Sequence, residues 1–273
     1  MVLSVFTFTL MDSCVKALVP RIGVLPTLWA RYAGQMMLVL ILVAPRLKTV
    51  VRTKYPVAQF FRSLLLMCTT AFFFTGLSRI ALTDAVSLMA INPVLITLGA
   101  AIFLREALGP RRLIGIGIAL CGTMIIIRPG SDVFTLSAFF PLGAACCYTG
   151  YVLLTRRVGS NEDVWTSLFY TGALGTIILS IIVPFNWNTP DATALVLIAM
   201  LSIFGTAGQL FLIRAFSLGE AAMLAPYVYF SLVFAAIWGF LFFAEIPDLW
   251  TVAGALVIAG AGLYVWHRET SRP

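Results

Sequence analysis

FLREALGPRRLIGIG, residues 103–117, has a counterpart far downstream in FFAEIPDLWTVAGAL, residues 242–256. In each stretch a Glu ends an apolar run, and a Pro and then a Gly lead into the next apolar run. Glu106 and Glu245 are 139 residues apart, and two of the glycines share that spacing. The first stretch carries three arginines and the second carries no Lys or Arg, so the frame is repeated without its positive charge.

The composition predicts a membrane protein. Of the 273 residues, 61% are hydrophobic and 11% are charged, whereas a soluble domain usually carries about 25% charged residues. Water cannot solvate so much apolar surface, so a lipid bilayer is the expected solvent. The net charge of +7 does not indicate a nucleic-acid partner, because most Lys and Arg fall in short gaps between apolar runs, which suits membrane orientation.

Ten apolar runs are candidate membrane spans, since a spanning helix needs roughly 20 apolar residues. Their approximate bounds are 2–19, 25–44, 58–78, 83–104, 111–128, 133–155, 164–184, 192–213, 220–243 and 249–267. The runs are continuous, unlike the alternating strands of a barrel. The sequence therefore predicts an all-α polytopic membrane protein. Its first run lacks the features of a cleaved signal peptide and is interpreted as the first helix, although the true start could lie upstream.

The distribution of Lys and Arg predicts the orientation. With the N-terminus in the cytoplasm, twelve basic residues fall in cytoplasmic segments, while Arg21, Arg79 and Arg128 fall outside. Cytoplasmic loops are enriched in Lys and Arg. Both termini are therefore expected in the cytoplasm.

An inverted repeat explains the missing charges. Residues 1–130 and 131–273 are predicted to form two five-helix repeats, and five is an odd number, so the second repeat enters the membrane from the opposite side. This arrangement is common among secondary transporters. The alternative is that apolar helices resemble each other by composition alone. The shared register of Glu, Pro and Gly, together with the reversed charge, favours the repeat.

DAVSLMAINPVLITLGAAIFLREALGPRRLIGIGIALCGTMIII, residues 84–127, and its weaker copy at residues 220–265 resemble the drug/metabolite transporter superfamily in its EamA-type ten-helix form. MDSCVK near the start and APYVYF in the ninth span are most similar to the uptake branch that contains riboflavin and S-adenosylmethionine importers. The resemblance implies a multi-pass protein of the bacterial inner membrane that works by alternating access. It also implies a central cavity lined mainly by the first, third, fourth, sixth, eighth and ninth spans.

Polar residues inside the spans are the first candidates for substrate binding, because they are costly in lipid and usually face a cavity or the bundle interior. Asp12 and Lys16 share a helix face. They could form an ion pair that substrate or a proton breaks during transport, or an ion pair with a structural role only. Alternatively, the Lys16 side chain could extend to the outer membrane interface. Asn92 lies before Pro93, which interrupts its helix. Gln209 is the main polar group of the eighth span, where it could bind solute or a neighbouring helix.

Aromatic residues are the second set of candidates, since a cavity lined by rings suits a planar solute. Helix packing is the alternative for each single ring. The candidate rings are Phe73, Tyr148, Tyr151, Tyr227, Tyr229 and Trp238. Arg31 and Arg62 each lie about one turn into a span, and a structural role is favoured for both.

The expected function is secondary transport of a small organic metabolite. Riboflavin uptake is favoured, with S-adenosylmethionine uptake or export of amino acids, metabolites or drugs as alternatives. The sequence contains no P-loop and no Cys pair typical of zinc sites, so no metal or cofactor is expected. An integral-membrane enzyme is disfavoured because His267 is the only histidine, and a channel because no repeated polar ring is visible. Glycines in the fifth and tenth spans could pack internally or form a dimer face, so monomer and homodimer both remain open.

Overall fold

The computed structural model describes residues 1–104, 110–127, 136–159, 162–218 and 224–270. Arg105, Glu106 and Arg128 of the sequence argument lie outside these residues. All regular structure within the described ranges is helical, as predicted.

The α-helices follow one another with short connections. In chain order they are α1 (Val2–Ile22), α2 (Val24–Val43), α3 (Leu47–Val50), α4 (Pro56–Leu77), α5 (Leu82–Met89), α6 (Asn92–Leu104), α7 (Pro110–Ile127), α8 (Phe139–Gly159), α9 (Val164–Ile182), α10 (Ala192–Leu218), α11 (Phe230–Phe243) and α12 (Leu249–Thr270). Short 3-10 helices occupy Ala44–Arg46, Leu136–Ala138, Val183–Asn186 and Ala225–Tyr229.

Helix ends follow local sequence signals. Gly23 separates α1 from α2 at φ +88°, a backbone conformation that glycine adopts without steric cost. The Asp163 carboxylate caps α9 by accepting from the Trp165 N–H at 3.2 Å. Asp191 does the same for the Ala194 N–H at 2.7 Å. Such caps satisfy backbone donors that have no partner within the helix.

Within the described ranges, six helical segments are long and apolar enough to cross a membrane. They are Val2–Ile22, Val24–Val50, Pro56–Leu77, Leu136–Thr155, Val164–Asn186 and Ala192–Ala215. Shorter apolar helices occupy the predicted fourth, fifth, ninth and tenth spans, at Leu82–Ile96, Ile114–Ile127, Tyr227–Phe243 and Leu249–Tyr264. The chain is therefore a polytopic helical membrane protein.

The polarity of the fold is inverted relative to a soluble protein. Large apolar side chains such as Ile41, Ile177 and Leu256 are exposed on the outside of the bundle, where lipid would contact them. Arg31, Arg62 and many Ser and Thr hydroxyls are buried. Polar groups within membrane spans face the protein interior because lipid cannot satisfy them.

The main helix contacts join the first five predicted spans to the last five. α1 packs on α10, α2 on α9, α4 on α8 and α7 on α12. Ser4 Oγ donates to the Gly208 carbonyl at 2.9 Å, and Arg21 pairs with Asp191 at 2.7 Å, so α1 and α10 run antiparallel. By contrast, α11 runs parallel to α1. Trp238 lies beside Thr9, and further along the two helices Lys16 pairs with Glu245.

Two helix breaks interrupt the spans that the sequence marks with proline. α5 ends at Met89 and α6 begins at Asn92, as expected, because Pro93 has no N–H for the carbonyl one turn earlier. In the ninth span the break is the 3-10 helix Ala225–Tyr229. Pro226 lies in the first turn of this 3-10 helix.

Glycine allows close contact between α7 and α12. A Cβ on Gly254 would lie 2.5 Å from Ile126 Cγ1 and 2.7 Å from the Gly122 carbonyl oxygen. A Cβ on Gly117 or Gly260, in the same two helices, would have nothing within 4 Å. The glycine pair Gly122 and Gly254 therefore packs within the chain, which accounts for part of the predicted small-residue surface.

Candidate functional site

A cavity of about 180 Å³ lies inside the bundle. The helices that line it are α1, α2, α4, α5, α6, α8, α10, the 3-10 helix Ala225–Tyr229 and α11. These include the spans that the family resemblance implied, with α2 in addition. The lining reaches from Met1 at one end of α1 to Asp12 in its middle. Pockets that enclose a drug-sized ligand usually measure about 300–1,000 Å³, so the helices must separate to admit a whole solute of that size.

Asp12 and Arg31 bring opposite charges into the cavity lining. The two residues are 7% and 3% exposed, respectively. Arg31 is close enough to act electrostatically on Asp12, but the two form no ion pair within 4 Å; the ion pairs of the described residues are others. Nε and Nη1 of Arg31 lack a hydrogen-bond partner among the described residues. The cavity therefore holds a separated pair of buried charges.

Asn92 adds an uncommitted polar group to the cavity at the break between α5 and α6. It is buried, and its Oδ1 accepts no hydrogen bond from the described residues. A buried amide oxygen without a donor costs about 1–3 kcal/mol. A bound donor would remove that cost.

Aromatic rings line the cavity beside these polar groups. Phe8, Phe73, Phe74 and Tyr148 come from α1, α4 and α8. Rings from three helices can hold a planar or apolar group by stacking and edge contacts. The cavity thus combines an aromatic wall with the separated charges of Asp12 and Arg31.

Gln209 lines the cavity, whereas Tyr151 supports it from behind. The amide nitrogen of Gln209 donates to the Tyr151 hydroxyl at 2.6 Å, which joins α10 to α8. Tyr151 is buried and its ring lies 5.7 Å from that of Tyr148. The amide of Gln209 thus binds a neighbouring helix, while its side chain also borders the cavity; solute binding by Gln209 stays a prediction.

Lys16 does not pair with Asp12. Its ammonium lies 2.5 Å from Glu245 Oε1 and 3.1 Å from the Ile80 carbonyl oxygen. Glu245 also accepts from the Leu82 N–H at 3.0 Å. The predicted ion pair between Asp12 and Lys16 is therefore wrong. Lys16 lies one helical turn beyond Asp12, where the residue Glu245 after the end of α11 provides a carboxylate. We call these contacts of Lys16, Glu245, Ile80 and Leu82 the Lys16 latch.

The remaining aromatic candidates lie outside the cavity lining. Trp238 donates to Thr9 Oγ1 at 3.2 Å, and Thr9 itself lines the cavity. Tyr229 is buried and packs against Gly262. Tyr227 is exposed and stacks on Phe230 at 6.5 Å. Trp238 thus supports the wall, while the two tyrosines take part in helix packing and in the outer surface.

Arg62 shows how this fold satisfies a structural arginine. It is 1% exposed, and its Nε donates to Thr155 Oγ1 at 3.0 Å. Nη1 donates to Gln59 Oε1 at 2.6 Å, and the guanidinium carbon lies 5.3 Å from the Tyr151 ring centroid. Arg62 therefore holds α4 to α8, in agreement with the structural role that its sequence position favoured. Among the described residues, Nε and Nη1 of Arg31 have no comparable hydrogen bonds.

Among the ten predicted site residues, the structure brings Asp12, Phe73, Asn92, Tyr148 and Gln209 to one cavity. Sequence reasoning favoured a structural role for Arg31, yet its Nε and Nη1 are buried without a hydrogen-bond partner among the described residues, which distinguishes it within the lining. Its position inside a span was the available signal. Among the described residues no cluster of three or more His, Cys, Asp or Glu side chains could hold a metal ion.

The fold and the cavity define an integral membrane protein of the transporter class. Residues 1–128 and 135–266 match the EamA-like transporter family. The chain belongs to this family and is a multi-pass protein of the inner membrane.

Three relatives of this chain are named for the transport of different compounds. The S-adenosylmethionine uptake transporter of Rickettsia felis is 26% identical over 81% of this chain and 76% of its own length. The riboflavin transporter of Rhizobium johnstonii is 27% identical over 81% of this chain and 74% of its own length. The pseudopaline exporter CntI of Pseudomonas aeruginosa is 28% identical over 95% of this chain and 92% of its own length.

A solved crystal structure superposes on 96% of this chain and 95% of its own chain, with a TM-score of 0.65 and 17% sequence identity. That likeness concerns the fold alone. The family and its relatives make this chain a transporter, but their different cargoes leave its own substrate undetermined.

Proposed function

We propose that this protein is a secondary transporter that carries a small organic metabolite through the described cavity by alternating access. One observation carries the proposal: buried, opposite and unpaired charges line a cavity to which both halves of the chain contribute. Ten spans form two inverted repeats with both termini in the cytoplasm. A solute binding between such repeats can face either side as one repeat moves against the other.

The helix contacts support the inverted repeat because they are symmetric under exchange of the halves. Exchange maps α1 onto α8, α2 onto α9, α4 onto α10 and α7 onto α12. The contact of α1 with α10 then corresponds to that of α8 with α4, and the contact of α2 with α10 to that of α9 with α4. The pairs of α2 with α9 and α7 with α12 map onto themselves.

Cysteine labelling tests this topology. In a variant without native cysteines, single cysteines at Lys54 and Asn188 should react with an impermeant maleimide from opposite sides of the membrane. The cytoplasmic side is expected for Lys54, since the positive-inside bias places its gap there. Labelling of both positions from one side would contradict the inverted repeat.

The conformation described here is closed at the end where the Lys16 latch lies. The cavity lining extends from Asp12 toward Met1 at the opposite end of α1. With the N-terminus in the cytoplasm, the latch lies on the outer side. The transport cycle then requires the latch to open so that the cavity can face outward.

For cargo, uptake of riboflavin or S-adenosylmethionine remains the proposal. The aromatic wall of Phe8, Phe73, Phe74 and Tyr148 suits a planar ring system. Riboflavin contains an isoalloxazine ring and S-adenosylmethionine an adenine ring. The names of two relatives agree with this pair. Of the two candidates, the charges of Asp12 and Arg31 favour S-adenosylmethionine, because riboflavin carries no charges that match them.

Counterflow in proteoliposomes tests the transport function. Vesicles loaded with unlabelled riboflavin or S-adenosylmethionine should accumulate the same labelled compound from outside, and protein-free vesicles serve as the control. Accumulation of one compound selects the cargo. Lack of accumulation across a wider panel of metabolites, with protein verified in the vesicles, would contradict secondary transport.

A further inference from the structure

We propose that Asp12 and Arg31 form the subsite for a solute with an α-amino-acid headgroup, Arg31 binding its carboxylate and Asp12 its ammonium group. The proposal rests on the transport function above and names its substrate class. We call this pair, together with Asn92, the headgroup subsite.

The first argument is the cost of the unpaired charges. A buried charge without a partner costs several kcal/mol, and Arg31 and Asp12 are 3% and 7% exposed, respectively. A fold that needed these charges only for packing would be expected to pair them, as it pairs Arg62 with Gln59 and Thr155. A bound solute that carries both charges would offset this cost.

The second argument is how the Arg31 side chain is held. A Cβ on Gly205 would lie 4.0 Å from Arg31 Cγ, an ordinary contact distance, so the stem of Arg31 lies against α10. The guanidinium carbon lies 4.9 Å from the Tyr32 ring centroid, a contact that holds a cation in place without using its hydrogen-bond donors.

The third argument is chemical complementarity. A guanidinium presents a planar fork that binds a carboxylate through two hydrogen bonds. A carboxylate such as Asp12 binds an ammonium group, and the unpartnered Oδ1 of Asn92 is a further acceptor in the same lining. A neutral planar solute can fill the aromatic wall but brings no charge to pair with Arg31 or Asp12.

The size of the cavity agrees with a headgroup. About 180 Å³ is below the range that encloses a whole drug-sized ligand. In the closed conformation the cavity therefore has room for a compact zwitterion, while a larger remainder of the solute requires the helices to separate. Phe8 and Tyr148 belong to the same lining and would contact that remainder.

A matched pair of probes isolates the headgroup. S-adenosylhomocysteine has an adenosine, a neutral thioether and an amino-acid headgroup, whereas 5′-methylthioadenosine keeps the adenosine and the thioether and lacks the headgroup. Binding of both, of L-phenylalanine as a second zwitterion and of riboflavin is measured by calorimetry on purified protein in detergent. At least one zwitterion should bind the wild type about 10-fold or more tightly than 5′-methylthioadenosine and riboflavin, the gain expected from charge-assisted hydrogen bonds.

Substitutions assign the charges. Arg31→Gln and Asp12→Asn should each weaken binding of the zwitterion about 10- to 100-fold and leave binding of 5′-methylthioadenosine within about twofold, while Arg31→Lys should weaken it less than Arg31→Gln does. Arg21→Gln is the control, because Arg21 is exposed and outside the lining. Retained binding of the uncharged probe shows that a variant is folded; for one that binds no probe, unchanged thermal unfolding does so.

Three results would overturn the headgroup subsite. They are equal affinity of the wild type for charged and uncharged probes, equal loss of both in the variants, and no binding of either zwitterion by protein that unfolds cooperatively on heating. Counterflow of a neutral solute in the same preparation would then retain the transport function and reject only the headgroup. Failure of counterflow with every metabolite would reject the transport function itself.

Discussion

Opening of the Lys16 latch is expected to expose the cavity to the outer side. Glu245→Gln removes the charge that pairs with Lys16 at 2.5 Å but keeps an oxygen for the Leu82 N–H. The substitution therefore weakens the contact between α1 and α11 while it leaves the local tie from α11 to α5. Its effect on outward opening measures what the ion pair contributes to closure.

The magnitude follows from the burial of the pair. The Lys16 and Glu245 side chains are 14% and 26% exposed, respectively, so the pair lies between exposed bridges worth about 0–1 kcal/mol and buried ones whose rupture costs about 3–5 kcal/mol. A loss of about 2 kcal/mol is expected. Since each 1.4 kcal/mol is a factor of ten, the ratio of open to closed protein should rise about 30-fold.

Thiol accessibility measures this ratio. In a variant without native cysteines, Val86→Cys places a thiol in the cavity lining, and an impermeant maleimide is added from outside. Its labelling rate should rise about 30-fold with Glu245→Gln, because the rate follows the open population when opening is rare. Arg21→Gln removes another pair of the same outer surface, whose side chains are 44% and 53% exposed, and should change the rate less than about twofold.

Exchange of the two charged residues provides a sharper test. Lys16→Glu combined with Glu245→Lys restores the attraction, but it places a carboxylate beside the Ile80 carbonyl and an ammonium group beside the Leu82 N–H. The exchanged protein should therefore remain more accessible than wild type. A labelling rate that Glu245→Gln leaves unchanged within threefold would refute the latch, and full restoration by the exchange would refute the role of the backbone partners.

Three further predictions concern coupling, stability and packing. Asp12→Asn should abolish any dependence of uptake on an imposed pH gradient, since Asp12 is the carboxylate of the described cavity lining and Arg31 is the charged group facing it; unchanged dependence would remove Asp12 as the proton site. Arg62→Met should lower the free energy of unfolding by about 3 kcal/mol, because its hydrogen-bond partners stay buried, which thermal unfolding would detect as a lower Tm than for wild type. Gly254→Ala should lower stability by about 1–3 kcal/mol through the clash with α7, whereas Gly260→Ala, where nothing lies within 4 Å, should match wild type; equal effects would contradict the α7 and α12 contact.

The sequence by itself determined the class of fold, because apolar run length and proline placement act locally. Each continuous run of apolar residues must form a helix in lipid, and Pro93 breaks its helix wherever that helix lies. The membrane class, the helical content and the break before Asn92 all followed from such local rules. The aromatic and polar candidates were also found by a local property, their position within spans, but this property does not state which neighbour each one meets.

Only the tertiary structure decided which of these side chains share a cavity. Lys16 lies four residues from Asp12, yet it binds Glu245, because α11 ends beside it in the folded bundle. Arg31 and Arg62 occupy similar positions in sequence. Arg62 bonds Gln59 of its own helix, and the packing of α8 and α9 supplies its further partners. Such differences depend on contacts between residues far apart in the chain. Helix periodicity and composition are local properties and do not specify these contacts.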